Sequence, residues 1–260
     1  MDKKTLLDRA ASSPEERILL AHVLDECERC RLRGQPGHTP FLSPAEQRAS
    51  QDLLRAAAVH EGYVFCGGYE RAERRMLCFL PEWQEESGEG ELIRALRVHY
   101  YESLTHRDLL GSLMGLGVRR GALGDILAGE RSADVLCEAA MAPFLLQEWR
   151  AAGRVALRAE EISLGELNIP AQRVRELRDT VASLRLDAVT GCGFSLSRAK
   201  AAELVESGRV QLNYRETTRC DAAVAEGDVI SARGLGKFTL ASVGGKSKKG
   251  RTAIVLRRYL

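Results

Sequence analysis

Arg185-Leu186-Asp187 opens a stretch that continues through Ser197-Arg198-Ala199-Lys200-Ala201-Ala202-Glu203-Leu204-Val205-Glu206-Ser207-Gly208-Arg209-Val210-Gln211-Leu212-Asn213 and closes on Gly227-Asp228-Val229-Ile230-Ser231-Ala232-Arg233-Gly234-Leu235-Gly236-Lys237-Phe238. Ser197 is a good N-cap for a helix from Arg198 to Ser207, with Ala201, Leu204 and Val205 as its buried stripe. Gly208 supplies the turn that ends it. Arg209 to Leu212 then starts a strand, with Val210 and Leu212 on one face and Arg209 and Gln211 on the other. Gly227-Asp228 turns the chain into Val229-Ile230, and residues 233–238 form a glycine-rich bend carrying two cations. Helix, turn, strand and return strand, studded with basic residues, build a positive surface on a rigid frame.

Such a surface suits RNA. Long cations reach phosphate oxygens and displace counterions, and glycines let the backbone come close. Arg198 lies in the first helical turn, where backbone N–H groups also favour an anion. Lys200 stands about 200° around the helix from it, so the two need not share a partner. Tyr214, at a strand end beside Asn213, can stack on an unpaired base or cover a core edge. Lys246, Lys248, Lys249 and Arg251 surround a second hairpin; they serve either phosphate binding or the solubility of a turn.

The charge balance is uneven. Residues 1–150 hold 19 Lys and Arg against 24 Asp and Glu, a balance of −5; residues 151–260 hold 19 against 12, a balance of +7. A basic C-terminal third on a slightly acidic body points to a polyanion partner for that third. The apolar and charged fractions, 45% and 28%, are those of a globular protein,. No apolar run is long enough to cross a bilayer, and Met1-Asp2-Lys3-Lys4 leads into a polar segment instead of a secretory signal, so a cytoplasmic location is expected. The seven cysteines are irregularly spaced. Cys27 and Cys30 form the one close pair, without the second pair or histidine set of a zinc site; they read as small apolar residues on one helix face. No metal or cofactor is expected.

Along the chain, Pro14 to about Arg33 reads as a helix capped by Ser13, ended by Gly34-Gln35-Pro36-Gly37. A second helix begins near Ser43-Pro44. Tyr63 to Cys66 and Met76 to Leu80 read as neighbouring strands, and Leu92 to Tyr101 as a third. Thr105 caps a helix containing Leu109, Leu110 and Leu113. Val135 to Ala140 reads as a strand, Ala142 to Ala152 as a helix, and Arg154 to Glu161 as a return to the sheet. Residues 40–162 are therefore expected to form an α+β layer. Arg173 to Leu184 reads as a connecting helix of mixed charge.

The triplet Arg185-Leu186-Asp187, the spacing from Ser197 to Asn213, and Gly227-Asp228-Val229-Ile230 resemble the alpha-L RNA-binding domain, named for the fourth protein of the small ribosomal subunit. The resemblance spans about 55 residues. It implies that Arg185, Ser197, Arg198, Arg209, Asn213, Arg233 and Lys237 lie on or near an RNA surface and that Asp187 braces a helix pair. Many members carry Gly where Tyr214 stands. Over roughly residues 40–260 the chain also resembles the bacterial YlmH-type proteins, through Phe65-Cys66-Gly67-Gly68-Tyr69-Glu70-Arg71-Ala72-Glu73-Arg74, Leu104-Thr105-His106-Arg107-Asp108-Leu109-Leu110-Gly111 and Gly124-Asp125-Ile126-Leu127. That resemblance implies a central RNA-recognition-like α/β sandwich domain (39–165) followed by an alpha-L domain (183–260); with the capped helical run as an N-terminal helical segment (1–38) and a connecting segment (166–182), an α+β chain is expected. The implied partners are structured RNA (rRNA and tRNA) and the large ribosomal subunit, in rescue of stalled subunits. A monomer without a membrane partner or small-molecule substrate is expected.

Catalytic readings fail on their own terms. His106-Arg107-Asp108-Leu109 imitates a kinase catalytic loop, but Leu113 stands where a metal-binding Asn is needed. Gly111, Gly115 and Gly117 lack the Lys-Ser/Thr of a phosphate loop. A pseudouridine synthase also uses Arg-Leu-Asp, yet here the triplet opens the binding module instead of lying in a large preceding domain. No methyl-donor loop is found. An RNA-modifying enzyme of the pseudouridine synthase or rRNA methyltransferase type is the alternative to a non-catalytic RNA binder.

Overall fold

A computed structural model of the chain describes residues 2–84, 88–171, 173–246 and 250–259. The chain divides into two compact units, Met1–Pro170 and Ala171–Leu260.

The first unit begins with helices α1 (Lys3–Ala10), α2 (Pro14–Arg33) and α3 (Pro44–Ala56). Capping chemistry sets their boundaries. Ser13 Oγ accepts the Glu16 N–H at 3.1 Å, and Gly34, at φ 60°, ends α2 in the left-handed region,. Ser43 and Glu46 form a reciprocal box at the start of α3,. These helices pack on a small antiparallel sheet of β1 (Gly37–His38), β2 (Tyr63–Cys66) and β3 (Met76–Phe79), ordered β1-β3-β2, around Leu20, Val23, Leu53, Leu54 and Leu77.

After the short α4 (Glu89–Leu92) come β4 (Ile93–His99), α5 (His106–Gly115), β5 (Leu123–Ala128), β6 (Ser132–Glu138), α6 (Ala142–Glu148), a small hairpin of β7 (Ala151–Ala152) and β8 (Val155–Ala156), and β9 (Arg158–Ile162). The antiparallel sheet runs β5-β6-β4-β9. Apart from the small hairpin this is a βαββαβ unit with the RNA-recognition strand order. Leu109, Leu113, Leu145 and Trp149 cover one sheet face over Leu96, Val98, Val135 and Cys137. The opposite face is covered too: Ile93, Ala95 and Leu136 pack against Phe41, Cys66, Met76 and Cys78. Residues 40–162, expected as one layer, thus hold two sheets, with Tyr63–Cys66 and Met76–Phe79 in one and Ile93–His99 in the other. Apolar runs show which segments are strands but not which strand is the neighbour.

The second unit contains β10 (Val174–Val181), α7 (Leu186–Phe194), α8 (Arg198–Glu206), β11 (Val210–Leu212), β12 (Arg215–Glu216), β13 (Val229–Ala232), β14 (Gly236–Lys246) and β15 (Thr252–Tyr259). They form an antiparallel sheet ordered β10-β15-β14-β13-β11-β12. Where Arg173 to Leu184 reads as a connecting helix of mixed charge, the chain runs as β10, paired with β15 from Val174↔Tyr259 to Val181↔Thr252. A four-residue spacing such as Leu177 to Val181 fits one face of either a helix or a strand, and here the distant partner strand decides. α7 and α8 pack on one face of this sheet over Val210, Ile230, Phe238, Leu240 and Leu256. Gly193 makes this possible: a Cβ there would lie 2.2 Å from the Phe238 ring. Phe194 meets the same ring edge-on, centroids 5.0 Å apart,.

Candidate nucleic-acid interface

The second unit gathers two of its predicted cations, Arg185 and Arg198, around one buried carboxylate. Asp187, in the first turn of α7, is 4% exposed. Its Oδ1 and Oδ2 accept Arg185 Nε at 3.1 Å and Nη2 at 3.2 Å; Oδ2 also accepts Arg198 Nε at 3.1 Å, and Oδ1 the Ala188 N–H at 2.8 Å. Burial pushes the Asp187 pKa up, but the guanidinium groups of Arg185 and Arg198 outweigh it and hold it below the usual carboxylate range,. The same pair raises the Arg185 pKa. Backbone bonds anchor the node, from the Leu186 N–H to Ala222 O and the Asp187 N–H to Cys220 O. Arg185 and Arg198 keep 39% and 62% of their side chains exposed. Each guanidinium has five donors, so both retain N–H groups beyond those spent on Asp187. Two cations are thereby held still at the surface, at lower entropic cost for binding an anion than two free side chains.

Ser197 caps α8, accepting the Lys200 N–H at 3.3 Å, and is exposed. Its hydroxyl serves the helix, which positions Arg198 one residue on. The Lys200 side chain is exposed on the same turn.

A second group forms around the bend between β13 and β14. The Arg209 Nη2 donates to Arg233 O at 3.4 Å, and the Arg233 N–H to Arg209 O at 3.1 Å, leaving both side chains exposed. Gly234 (φ 83°) and Gly236 (φ 91°) take backbone conformations that disfavour side chains,. Lys237 follows on the sheet face away from the helices, its Nζ 5.6 Å from the centre of the Tyr259 ring,. Arg209, Arg233 and Lys237 thus share one end of the sheet.

Asn213 and Tyr214 do not join them. They occupy the β11–β12 turn, at the other end of β11 from Arg209. Both are left-handed, φ 51° and 65°, the pattern of a type I′ hairpin, in which Gly is favoured at the second position,. Tyr214 takes that position and is half-buried. The Asn213 amide is spent inside the fold: Nδ2 donates to Asp228 Oδ1 at 2.7 Å and Oδ1 accepts the Val229 N–H at 3.0 Å. Lys248 and Lys249 lie outside the described residues. Arg257 and Tyr259, which share the helix-free face with Lys237, carry no local motif in the sequence; the register of β14 and β15 places them there.

In the first unit, the glycine-rich segment 65–74 and the segment 124–127 prove to be one hydrogen-bonded structure. Asp125 accepts from Tyr69 Oη at 2.7 Å, the Glu73 N–H at 2.6 Å and the Arg74 N–H at 3.0 Å. Burial first, then the hydrogen bond to Asp125, raises the Tyr69 pKa strongly. His106-Arg107-Asp108 forms a helix start: Thr105 and Asp108 make a reciprocal capping box, and the Thr105 hydrogen bonds lower the Asp108 pKa. Burial raises the Cys27 and Cys30 thiols, keeping both protonated at neutral pH,. Among the described residues no group of His, Cys, Asp and Glu has the arrangement to hold a metal ion, and no helix is long and apolar enough to cross a membrane.

Comparison with known proteins agrees with this architecture. Residues 15–82 match the family model described as "YlmH, N-terminal", and residues 92–166 the one described as "Putative RNA-binding domain in YlmH". The two matches meet the two sheets of the first unit. The chain is 38% identical over 223 residues to the "Ribosome-associated protein quality control protein P2" of Bacillus subtilis (strain 168), covering 85% of this chain and 86% of that protein. A solved structure, "Cell division protein ylmH from Streptococcus pneumoniae", superposes with a TM-score of 0.52 at 20% identity, covering 62% of this chain and 98% of that one; at that identity it speaks for the fold alone. With a sequence relationship that spans most of both proteins, the chain belongs to the YlmH family.

Proposed function

We propose that this protein is a non-catalytic RNA-binding protein that associates with the ribosome, through large-subunit rRNA, tRNA or both, in the rescue of stalled large subunits. The observation that carries the reading is the Asp187 node, which fixes Arg185 and Arg198 at the surface of a unit whose sequence resembles the alpha-L domain. Arg209, Arg233 and Lys237 extend the basic surface, with Lys248 and Lys249 as further phosphate contacts. The ribosome-associated relative and the family's RNA-binding domain support the same reading.

Binding to purified bacterial rRNA, followed by salt titration, tests it. A steep fall of log affinity with log salt is expected. Arg198→Gln and Arg209→Glu should each weaken binding and reduce that slope by about one. Unchanged affinity in the folded double variant would overturn this surface.

A further inference from the structure

The RNA-recognition-like sheet cannot bind RNA in the usual manner of its architecture, across an open face carrying stacking aromatics. That face carries Ala95, Arg97, Asp134 and Leu136 on its two central strands. Ala95 and Leu136 are fully buried under β2 and β3. Arg97 is clamped in two hydrogen bonds to the buried Asp134, at 2.7 and 2.8 Å, and donates to Glu166 O at 2.7 Å.

Among the described residues, the most exposed aromatic of this domain stands instead at its loop end, well beyond Phe144 of α6 at 41%. Tyr100 and Tyr101 follow β4, and the pair divides sharply: Tyr100 is 2% exposed and Tyr101 98%. Tyr100 is pinned, its hydroxyl donating to Gly129 O at 2.8 Å and Ser132 O at 3.0 Å, its N–H to Arg131 O at 3.0 Å. Tyr101 is thereby carried on a fixed backbone with its ring in solvent. Basic side chains surround this loop in the fold. His106 and Arg107 open α5, Arg131 lies in the turn that anchors Tyr100, and Arg158 pairs with His99 across β4 and β9; all four are exposed. Of the nearby acids, Asp108 is engaged by Thr105 and Glu160 by His99; Glu102 and Glu130 are exposed.

We propose that Tyr101 is a second RNA contact, stacking on one unpaired base while Arg107, Arg131 and Arg158 take neighbouring phosphates. Stacking is the contact an exposed ring can make with any base, and adjacent cations make the combination favour nucleic acid over an apolar protein groove. The inference rests on the reading of the chain as an RNA-binding protein.

Ultraviolet crosslinking of the full chain to bacterial rRNA, with mass spectrometry of tryptic peptides, tests it. A nucleotide adduct on the peptide of residues 98–107 is expected. Tyr101→Ala should lower rRNA affinity about fivefold or more, with Tyr101→Phe close to wild type; circular dichroism checks that both are folded. If Tyr101→Ala binds like wild type and no adduct forms on 98–107, while Arg198→Gln and Arg209→Glu weaken binding, this inference falls and the proposed function stands. A wild-type protein that does not bind rRNA overturns both. Weaker binding of Tyr101→Ala to whole subunits but not to rRNA would assign the surface to a protein, against the inference.

Discussion

Asp187 carries opposite obligations: its burial alone would favour the neutral acid, and its two guanidinium partners favour the carboxylate. The guanidinium pair wins, so its folded pKa lies below its unfolded value near 3.9,. The stabilisation is therefore complete above about pH 4 and is lost as pH falls through the folded value. Asp187→Asn should destabilise the second unit by about 1–3 kcal/mol at pH 7. The deficit against wild type should shrink at pH 3, as read by urea melts at both pH values. Asn213 answers a different need. It satisfies Asp228 and Val229 from a left-handed backbone that Asn tolerates and Ala does not,. Asn213→Ala should cost about 2–3 kcal/mol, and Asn213→Gly less, because glycine restores the backbone while losing the two hydrogen bonds; thermal melting separates the two.

At the scale of elements, α7 shows what close packing demands. Adding one methyl group at Gly193 drives it into the Phe238 ring, so Gly193→Ala should cost about 1–3 kcal/mol. Phe238→Leu in the same chain should recover part of that cost, which a double-mutant cycle on chemical denaturation measures. The helices that begin with strong caps were legible from local chemistry: Ser13-Pro14, Ser43-Pro44, Thr105 and Ser197 mark starts that the structure keeps. α7 was not, because Gly191 and Gly193 argue against a helix until a sheet is packed on it. Nor was β10, whose Leu177–Val181 spacing serves two periods and whose partner is distant in sequence. The candidate site divides in the same way. Arg198, Arg209 and Arg233 stand out beside caps and glycines, whereas the shared clamp on Asp187 and the meeting of Lys237 with Tyr259 depend on distant backbone pairings.

At the scale of the whole chain, the first unit uses its second sheet as a core wall on both faces. Leu136 lies at the centre of the covered face, fully buried. Leu136→Asp should unfold that unit, at a cost of about 3 kcal/mol or more, instead of weakening RNA binding selectively; a lost thermal transition with no separable binding defect is the expected result. The charge asymmetry acts at this scale too: the basic remainder attracts a polyanion over a longer range than the net-acidic first 150 residues, where cations such as Arg107 and Arg131 act locally,. In the second unit, β15 lies between β10 and β14 and holds both. A ribosome making this chain releases β10 early and must leave it unpaired until Thr252–Tyr259 emerges. A product cut short before Thr252 would leave β10 with no strand partner and β14 with an open edge, exposed to proteolysis and to pairing with other chains,. The sheet that carries the basic face therefore closes only when β15 is in place between β10 and β14.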